Sequence, residues 1–301
     1  MRLFSVITCR SCCVWHGGDW GQPEPYLLLG APPVRAISYA ASFGMRTLPA
    51  VHDYAAGFQN FEAISVREAE GVELVRQTGY VGEVAHVVDT TLLLPREAWW
   101  RLAKRKCRPR RLVCYFLSED ISSAVRTLEP WAKQTGWRVE ILCDGYSKVF
   151  PRNVRSLVAR VGEMVKPSRV RISLAAGPRE FVRAFSRAEA CVTDSFHAVM
   201  FSSIYDCNVR FLRPTHPQRK QMFTRIEGFA QTAVEGEMIA DTLASALDPI
   251  ARGTRITFRR DVIDSWRNAS WRWLEAALRK NCVETSCVEA STRETAVDCQ
   301  C

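Results

Sequence analysis

Gly177 to Phe201 reads GPREFVRAFSRAEACVTDSFHAVMF, and the punctuation of this stretch decides the fold. Gly177-Pro178 is a turn signal, and Arg179 to Arg187 follows with helical spacing that puts Phe181, Val182 and Phe185 on one face. Ala190-Cys191-Val192-Thr193 is a short apolar run of the kind that forms a buried parallel strand. Asp194-Ser195 are helix-starting residues, and the apolar run from Ala198 to Ile204 continues as a helix. His197 therefore falls where a strand hands over to a helix. In open α/β sheets ligands bind at such places, because backbone N–H groups and the helix dipole point at them. Two readings of His197 stand side by side: a capping or packing residue, or a group that meets an anion and moves a proton near neutral pH.

Working outward, GPREF, a helix and then Val192-Thr193-Asp194-Ser195-Phe196-His197 resembles the polysaccharide pyruvyl transferase family. Its other signatures lie upstream in the same order. They are Ile37 to Gly44 (ISYAASFG), Ile64-Ser65-Val66-Arg67-Glu68, and Asp89-Thr90-Thr91 followed by Leu92 to Leu94, with Trp99 behind. Ordered motifs of this number are far more specific than a lone short one.

The resemblance implies two Rossmann-like α/β domains facing across a cleft, in a glycosyltransferase-B-like arrangement. It also implies transfer of the pyruvyl group of phosphoenolpyruvate onto a sugar of a polysaccharide or lipid-linked glycan as a ketal, with no cofactor and no metal. His197 and Arg67 are then the expected catalytic residues. Expected donor or substrate contacts are Ser195, Asp194, Asp89, Glu180, Lys220 and Arg225. Each of these has a plainer alternative. Arg67 is otherwise a helix-surface charge, and Asp89 caps the turn before Leu92. Glu180 is otherwise a carboxylate favoured by a helix N-terminus, while Lys220 and Arg225 are surface charges.

Two departures from the family pattern lie near the start. Where the family has Gly-Ser-Asp-x-x-Trp, this chain has Arg10 for the Gly and Cys12 for the Asp, while Ser11 and Trp15 match. Family members also begin earlier, with a Gly/Asn-rich turn, so the first domain is expected to be incomplete. Rival readings are a nucleotide-sugar glycosyltransferase of the same architecture and an inactive, truncated glycan-binding remnant.

The domain expectation is an N-terminal α/β domain over residues 1–104, joined by a helix over 257–281, and a C-terminal Rossmann-like domain over 105–250. Residues 282–301 read as a disordered tail. In the first block, strands are expected at Leu3–Thr8, Ala36–Ala41, Phe61–Val66 and Val84–Val88, with the Trp99-Trp100 segment closing the domain. In the second, strands are expected at Leu112–Leu117, Val139–Cys143, Arg169–Leu174 and Val209–Leu212, with a helix around Val154 to Val165. Lys220 to Ala230 and Arg260 to Arg279 read as amphipathic helices, the latter with Ile263, Trp266, Trp273, Ala277 and Leu278 as its apolar stripe.

The charge balance, 41 Lys+Arg against 32 Asp+Glu, favours an anionic partner. No recognised nucleic-acid motif accompanies it, so nucleic acid is not expected. Lys104 to Arg111 (KRKCRPRR) reads as a solvated interdomain linker, or as a patch for peripheral contact with an anionic membrane. No run reaches the roughly 18 apolar residues that a membrane span needs. Cys107, Cys114, Cys143, Cys191 and Cys207 are spread singly, as reduced and mostly buried thiols are, which points to a cytoplasmic setting; peripheral contact at the inner face of the cell membrane is the alternative that the basic run leaves open. Cys9, Cys12, Cys13 and His16 have spacing reminiscent of a zinc site. No second ligand pair follows, and stray thiols are the better account.

Overall fold

The computed structural model describes residues 5–8, 27–28, 36–48, 54–143, 168–174, 176–215, 220 and 222–294, with 5–8 and 280–294 described as backbone. In chain order the first elements are β1 (Ser5–Thr8), β2 (Ala36–Ala41), α1 (Tyr54–Phe58), β3 (Phe61–Val66), α2 (Ala69–Gln77), β4 (Glu83–His86) and α3 (Thr90–Leu93). Next come α4 (Arg96–Leu102), β5 (Arg111–Tyr115), α5 (Ile121–Thr135), β6 (Arg138–Leu142), β7 (Val170–Ser173), α6 (Pro178–Arg187), β8 (Ala190–Thr193) and α7 (Phe196–Tyr205). The chain continues with β9 (Asn208–Leu212), α8 (Thr224–Ala233), β10 (Val234–Glu235), β11 (Ile239–Ala240), α9 (Leu243–Ala251), β12 (Thr257–Phe258) and α10 (Arg260–Glu294). They form two compact units, Met1–Leu93 with Asp261–Cys301, and Leu94–Arg260.

The first unit carries a parallel four-stranded sheet in the order β1-β2-β3-β4. β2 and β3 are apolar runs buried almost throughout, as strands covered on both faces must be. On one face Phe43, Tyr54, Phe58, Ile64, Leu74 and Val75 build a core. On the other lies α10, whose Ala277 and Trp273 meet Ile37 and Ala63. The Trp273 ring stands 6.3 Å from that of Tyr39. The apolar stripe of α10 thus finds the sheet it was patterned for. The helix runs on to Glu294, past residue 282, where the sequence reads as a tail; no Gly or Pro between 282 and 294 stops it.

The second unit is a six-stranded parallel sheet in the order β11-β9-β8-β5-β6-β7. The chain builds outward from β5 through β6 to β7, then returns to the far side of β5 and builds outward again. That is the Rossmann order, with its reversal between β5 and β8. Leu112, Cys114, Leu128, Val139, Ile141, Val192 and Leu247 form the core of one face. Asp120 caps α5 by accepting from Ser123 N at 2.7 Å, and Gly136 ends it with φ 77°, a left-handed turn that suits glycine.

Two boundaries differ from the sequence reading. The helix α4 belongs to the second unit rather than closing the first, because its contacts lie there. Trp99 packs edge-on against Phe201 at 4.9 Å, Tyr205 Oη donates to the carbonyls of Trp99 and Ala103, and Arg96 pairs with Asp206. The second unit also extends to Arg260, because β12 pairs with β10 and Arg260 pairs with Asp206. The helix expected around Val154 to Val165 lies outside the described residues.

The five cysteines whose side chains are described are all free, and four of them, Cys114, Cys143, Cys191 and Cys207, are buried in the second unit. Burial pushes the thiols of Cys114, Cys191 and Cys207 far up, leaving them neutral. Cys107, set in KRKCRPRR, departs from the pattern and is exposed.

Candidate active site

The reversal point of the second sheet is where the motif VTDSFH falls. Thr193, the last residue of β8, donates its hydroxyl to the Tyr115 carbonyl at the end of β5 (2.5 Å) and accepts from Ser195 N (3.0 Å). Asp194 does not cap α7. Its carboxylate accepts from Leu117 N at 2.6 Å and Ser118 N at 2.7 Å, so the end of β8 clamps the loop that leaves β5. Ser195 is the residue before α7, but its side chain makes no capping bond. His197 is in the first turn, half-buried, its ring 5.8 Å from that of Phe196.

Arg225 belongs to the same neighbourhood and is no surface charge. It is 5% exposed, its Nε donates to the Met222 carbonyl, and its guanidinium carbon lies 5.3 Å from the Phe196 ring centroid. Phe196 is thus flanked by the imidazole on one side and the guanidinium on another. Lys220, by contrast, is exposed. Glu180, in the first turn of α6, is exposed and lines a groove with Arg111, Glu140 and Arg183 along the β6–β7 side of that helix.

A residue the sequence reading missed stands on the loop that Asp194 holds. The Glu119 carboxyl is raised above its ordinary value by its burial and then by the negative charges of Asp194 and Asp120. No periodicity marks it, since it lies between a strand end and a helix cap.

In the first unit the remaining motifs converge at the carboxyl ends of β2, β3 and β4. Arg67 Nη1 lies 2.7 Å from Asp89 Oδ2, with both side chains almost fully buried. The other Asp89 oxygen accepts from Thr91 N and Thr91 Oγ1. Asp89 therefore starts α3 and balances Arg67 at once. Glu68 opens α2 with its side chain turned inward. Its Oε1 accepts from Ser42 Oγ (2.9 Å), Phe43 N (2.6 Å) and Gly44 N (2.9 Å). One carboxylate oxygen thereby fixes the whole exit loop of β2, a role the sequence did not disclose.

β2 itself is bent before that loop. Ala40 has φ 53°, an uncommon conformation for a residue with a Cβ, and the pairing with β3 slips between Ser38 and Ala41. Ser65 Oγ bridges the irregularity, accepting from Ala40 N and donating to the Ser38 carbonyl, both at 3.1 Å.

Chemically, the second unit offers a helix start, an imidazole and a buried guanidinium around one ring. That set can hold an anion and exchange a proton. Among the described residues no group of His, Cys, Asp and Glu is arranged to hold a metal ion, and Cys9, Cys12, Cys13 and His16 lie outside them. No described helix is long and apolar enough to cross a membrane.

No curated protein matches the chain. A family model described as polysaccharide pyruvyl transferase matches residues 3–216, which is most of the chain and takes in every motif from β1 to the end of β9. The chain belongs to the polysaccharide pyruvyl transferase family.

Proposed function

We propose that the protein transfers the pyruvyl group of phosphoenolpyruvate to two hydroxyls of a sugar in a polysaccharide or lipid-linked glycan. The observation that carries this reading is the position of Asp194 to His197, the family motif, at the strand-order reversal of a Rossmann sheet. That is where such sheets take their ligands.

The reaction needs a proton delivered to the methylene carbon of the donor, which becomes a methyl group. The adjacent carbon then carries positive charge and is attacked by one sugar hydroxyl. Its bond to the phosphate oxygen breaks, phosphate leaves, and the second hydroxyl closes the ketal. Of the two hydroxyl protons released, one balances that given to carbon and the other leaves with phosphate.

In this scheme His197 is the proton donor and acceptor, and the start of α7 with Arg225 holds donor phosphate or carboxylate. Glu119, whose carboxyl is made more basic by burial and by the negative charges of Asp194 and Asp120, is suited to receive a hydroxyl proton late in the reaction. Asp194 and Ser195 shape the site through the backbone. Arg67, held by Asp89 at the carboxyl end of β3, is kept as a donor contact. Lys220 is kept as a phosphate contact from the loop after β9. Glu180 is assigned to the acceptor side, and a peripheral contact with an anionic membrane would bring lipid-linked acceptor within reach.

The test is phosphate release from phosphoenolpyruvate with and without a lipid-linked saccharide, followed by mass analysis of the glycan. Acceptor-dependent release with a pyruvate ketal on the product is expected. Transfer of a sugar from a nucleotide donor, with no phosphate released from phosphoenolpyruvate, would overturn it.

A further inference from the structure

Parallel sheets are normally covered on both faces, and their strands read as apolar runs. β5, β6 and β7 obey this along the whole of one face and only in part on the other. Leu112, Cys114, Val139, Ile141 and Val170 are buried in the core. On the other face Val113 and Leu142 are buried as well, but Arg111, Arg138, Glu140 and Arg171 set charge beside them. Arg111 stands in register with Arg138, and Arg169 immediately precedes Val170, the partner of Val139, so it continues the same row. In the next row Glu140 stands beside Arg171. Like charges set side by side on a sheet face repel. A row of arginines at the edge of the sheet is therefore costly unless something negative lies across it.

The surrounding chain deepens the asymmetry. Two adjoining hollows of about 510 and 520 Å³ share Arg111, Glu140 and Arg171. Arg138 and Arg169 line one, and Arg183 and Arg187 of α6 line the other. Glu140 is already spoken for, with one oxygen 2.6 Å from Arg111 and the other accepting from Ser173 Oγ. The remaining carboxylate on the lining is Glu180, near one end. The guanidiniums of Arg171, Arg183 and Arg187 have no hydrogen-bond or ion-pair partner among the described residues.

We propose that this arginine-lined groove along α6 and the β5–β6–β7 face binds an anionic polysaccharide strand bearing carboxylate or phosphate groups at intervals. The charges are strung along the groove rather than gathered at a point, which fits a chain better than a single phosphate. Guanidiniums match carboxylate and phosphate geometry in pairs of hydrogen bonds. No aromatic side chain lines either hollow, so bases have no stacking platform and a nucleic acid strand is disfavoured. The lining is concave, whereas a bilayer surface calls for a flat or convex face. The identity of the strand as a glycan rests on the transferase reading; the anion binding does not.

The experiment is a fluorescence titration of the full chain, without donor, using labelled polygalacturonate near physiological ionic strength. Two triple variants with equal charge change are compared, Arg171→Glu/Arg183→Glu/Arg187→Glu in the groove and Arg76→Glu/Arg126→Glu/Arg272→Glu elsewhere, each checked for folding by circular dichroism. The groove variant should bind at least about tenfold more weakly and the control within about twofold of wild type, because local pairing decides the contact. Single substitutions Arg171→Gln and Arg187→Gln serve if the triple variant fails to fold, each lowering affinity about threefold. Equal losses in both triple variants would reduce the effect to net charge and overturn the site. Tighter binding of phosphatidylglycerol vesicles or single-stranded RNA than of polygalacturonate would overturn the choice of ligand. None of these readouts involves turnover, so failure of the groove and failure of the transferase reading are separately visible.

Discussion

Arg67 and Asp89, 22 residues apart, meet at 2.7 Å between the carboxyl end of β3 and the start of α3, with both side chains nearly sealed from solvent. Removing one partner of such a pair leaves a buried charge. Asp89→Ala should therefore destabilise the first unit by about 3–5 kcal/mol. Asp89→Asn, which keeps a hydrogen-bond acceptor, should cost less. Urea unfolding followed by tryptophan fluorescence reads both, since α10 brings its tryptophans to this unit. Equal stability of Asp89→Ala and wild type would show that the pair contributes nothing net.

Asp194 ties the second sheet's two halves together through Leu117 N and Ser118 N. Hydrogen bonds to a charged acceptor contribute about 1.5–3 kcal/mol. Asp194→Ala should thus lower stability by about 2–3 kcal/mol and loosen the β5 exit loop that carries Glu119. Amide exchange at Leu117 and Ser118 should accelerate well beyond the global loss. Exchange that rises uniformly across the unit would argue against a local clamp.

His197→Ala should leave the fold intact and lower acceptor-dependent phosphate release by about 10²–10⁴, the usual contribution of a proton-transfer group. Arg225→Lys keeps the charge but loses the planar fork over Phe196, so it should weaken phosphoenolpyruvate binding in calorimetry. Arg67→Lys tests in the same titration whether Arg67 takes part in donor binding. Wild-type turnover in the histidine variant would return His197 to packing.

Asp206 sits between Arg96 and Arg260 with φ 56°. Burial alone would raise its carboxyl, but Arg260 and Arg96 overcome this and hold it below its ordinary value. The unfolded chain therefore takes up the proton first. The stabilisation is complete above about pH 4 and is lost as pH falls through the lowered folded value. Asp206→Asn tolerates the left-handed backbone and isolates the charge. Its acid-unfolding curve should lose slope in that window, whereas a wild-type slope would assign the acid sensitivity elsewhere.

Much of this fold is legible along the chain because its strands are apolar runs and its helices are striped. Ala190 to Thr193 followed by Asp194 could be read at sight, and so could the stripe of Ile263, Trp266 and Trp273. Side-chain destinations could not. Asp194 looks like a helix cap in sequence, and its partners lie 76 and 77 residues away. Arg225 looks like a surface charge on an amphipathic helix until Phe196 is placed beneath it. The helix α4 follows the first unit's last motif in sequence, yet its tryptophan finds Phe201 on α7 and its arginine finds Asp206 just after it. Glu68 carries nothing in its local pattern to show that it gathers three donors from the loop after β2.

The buried thiols of Cys114, Cys143, Cys191 and Cys207 amount to an internal stopwatch. A folded second unit shields them, and the thiols of Cys114, Cys191 and Cys207, held neutral by burial, are poor nucleophiles. An alkylating reagent should mark them only in molecules whose Rossmann sheet has come apart. Peptide-level mass analysis then separates their labelling from that of exposed Cys107. The same four sulfurs would time the opening of this sheet, since their peptides are distinct from those that carry Cys282 and Cys287 of α10. They would also show whether a bound donor slows it.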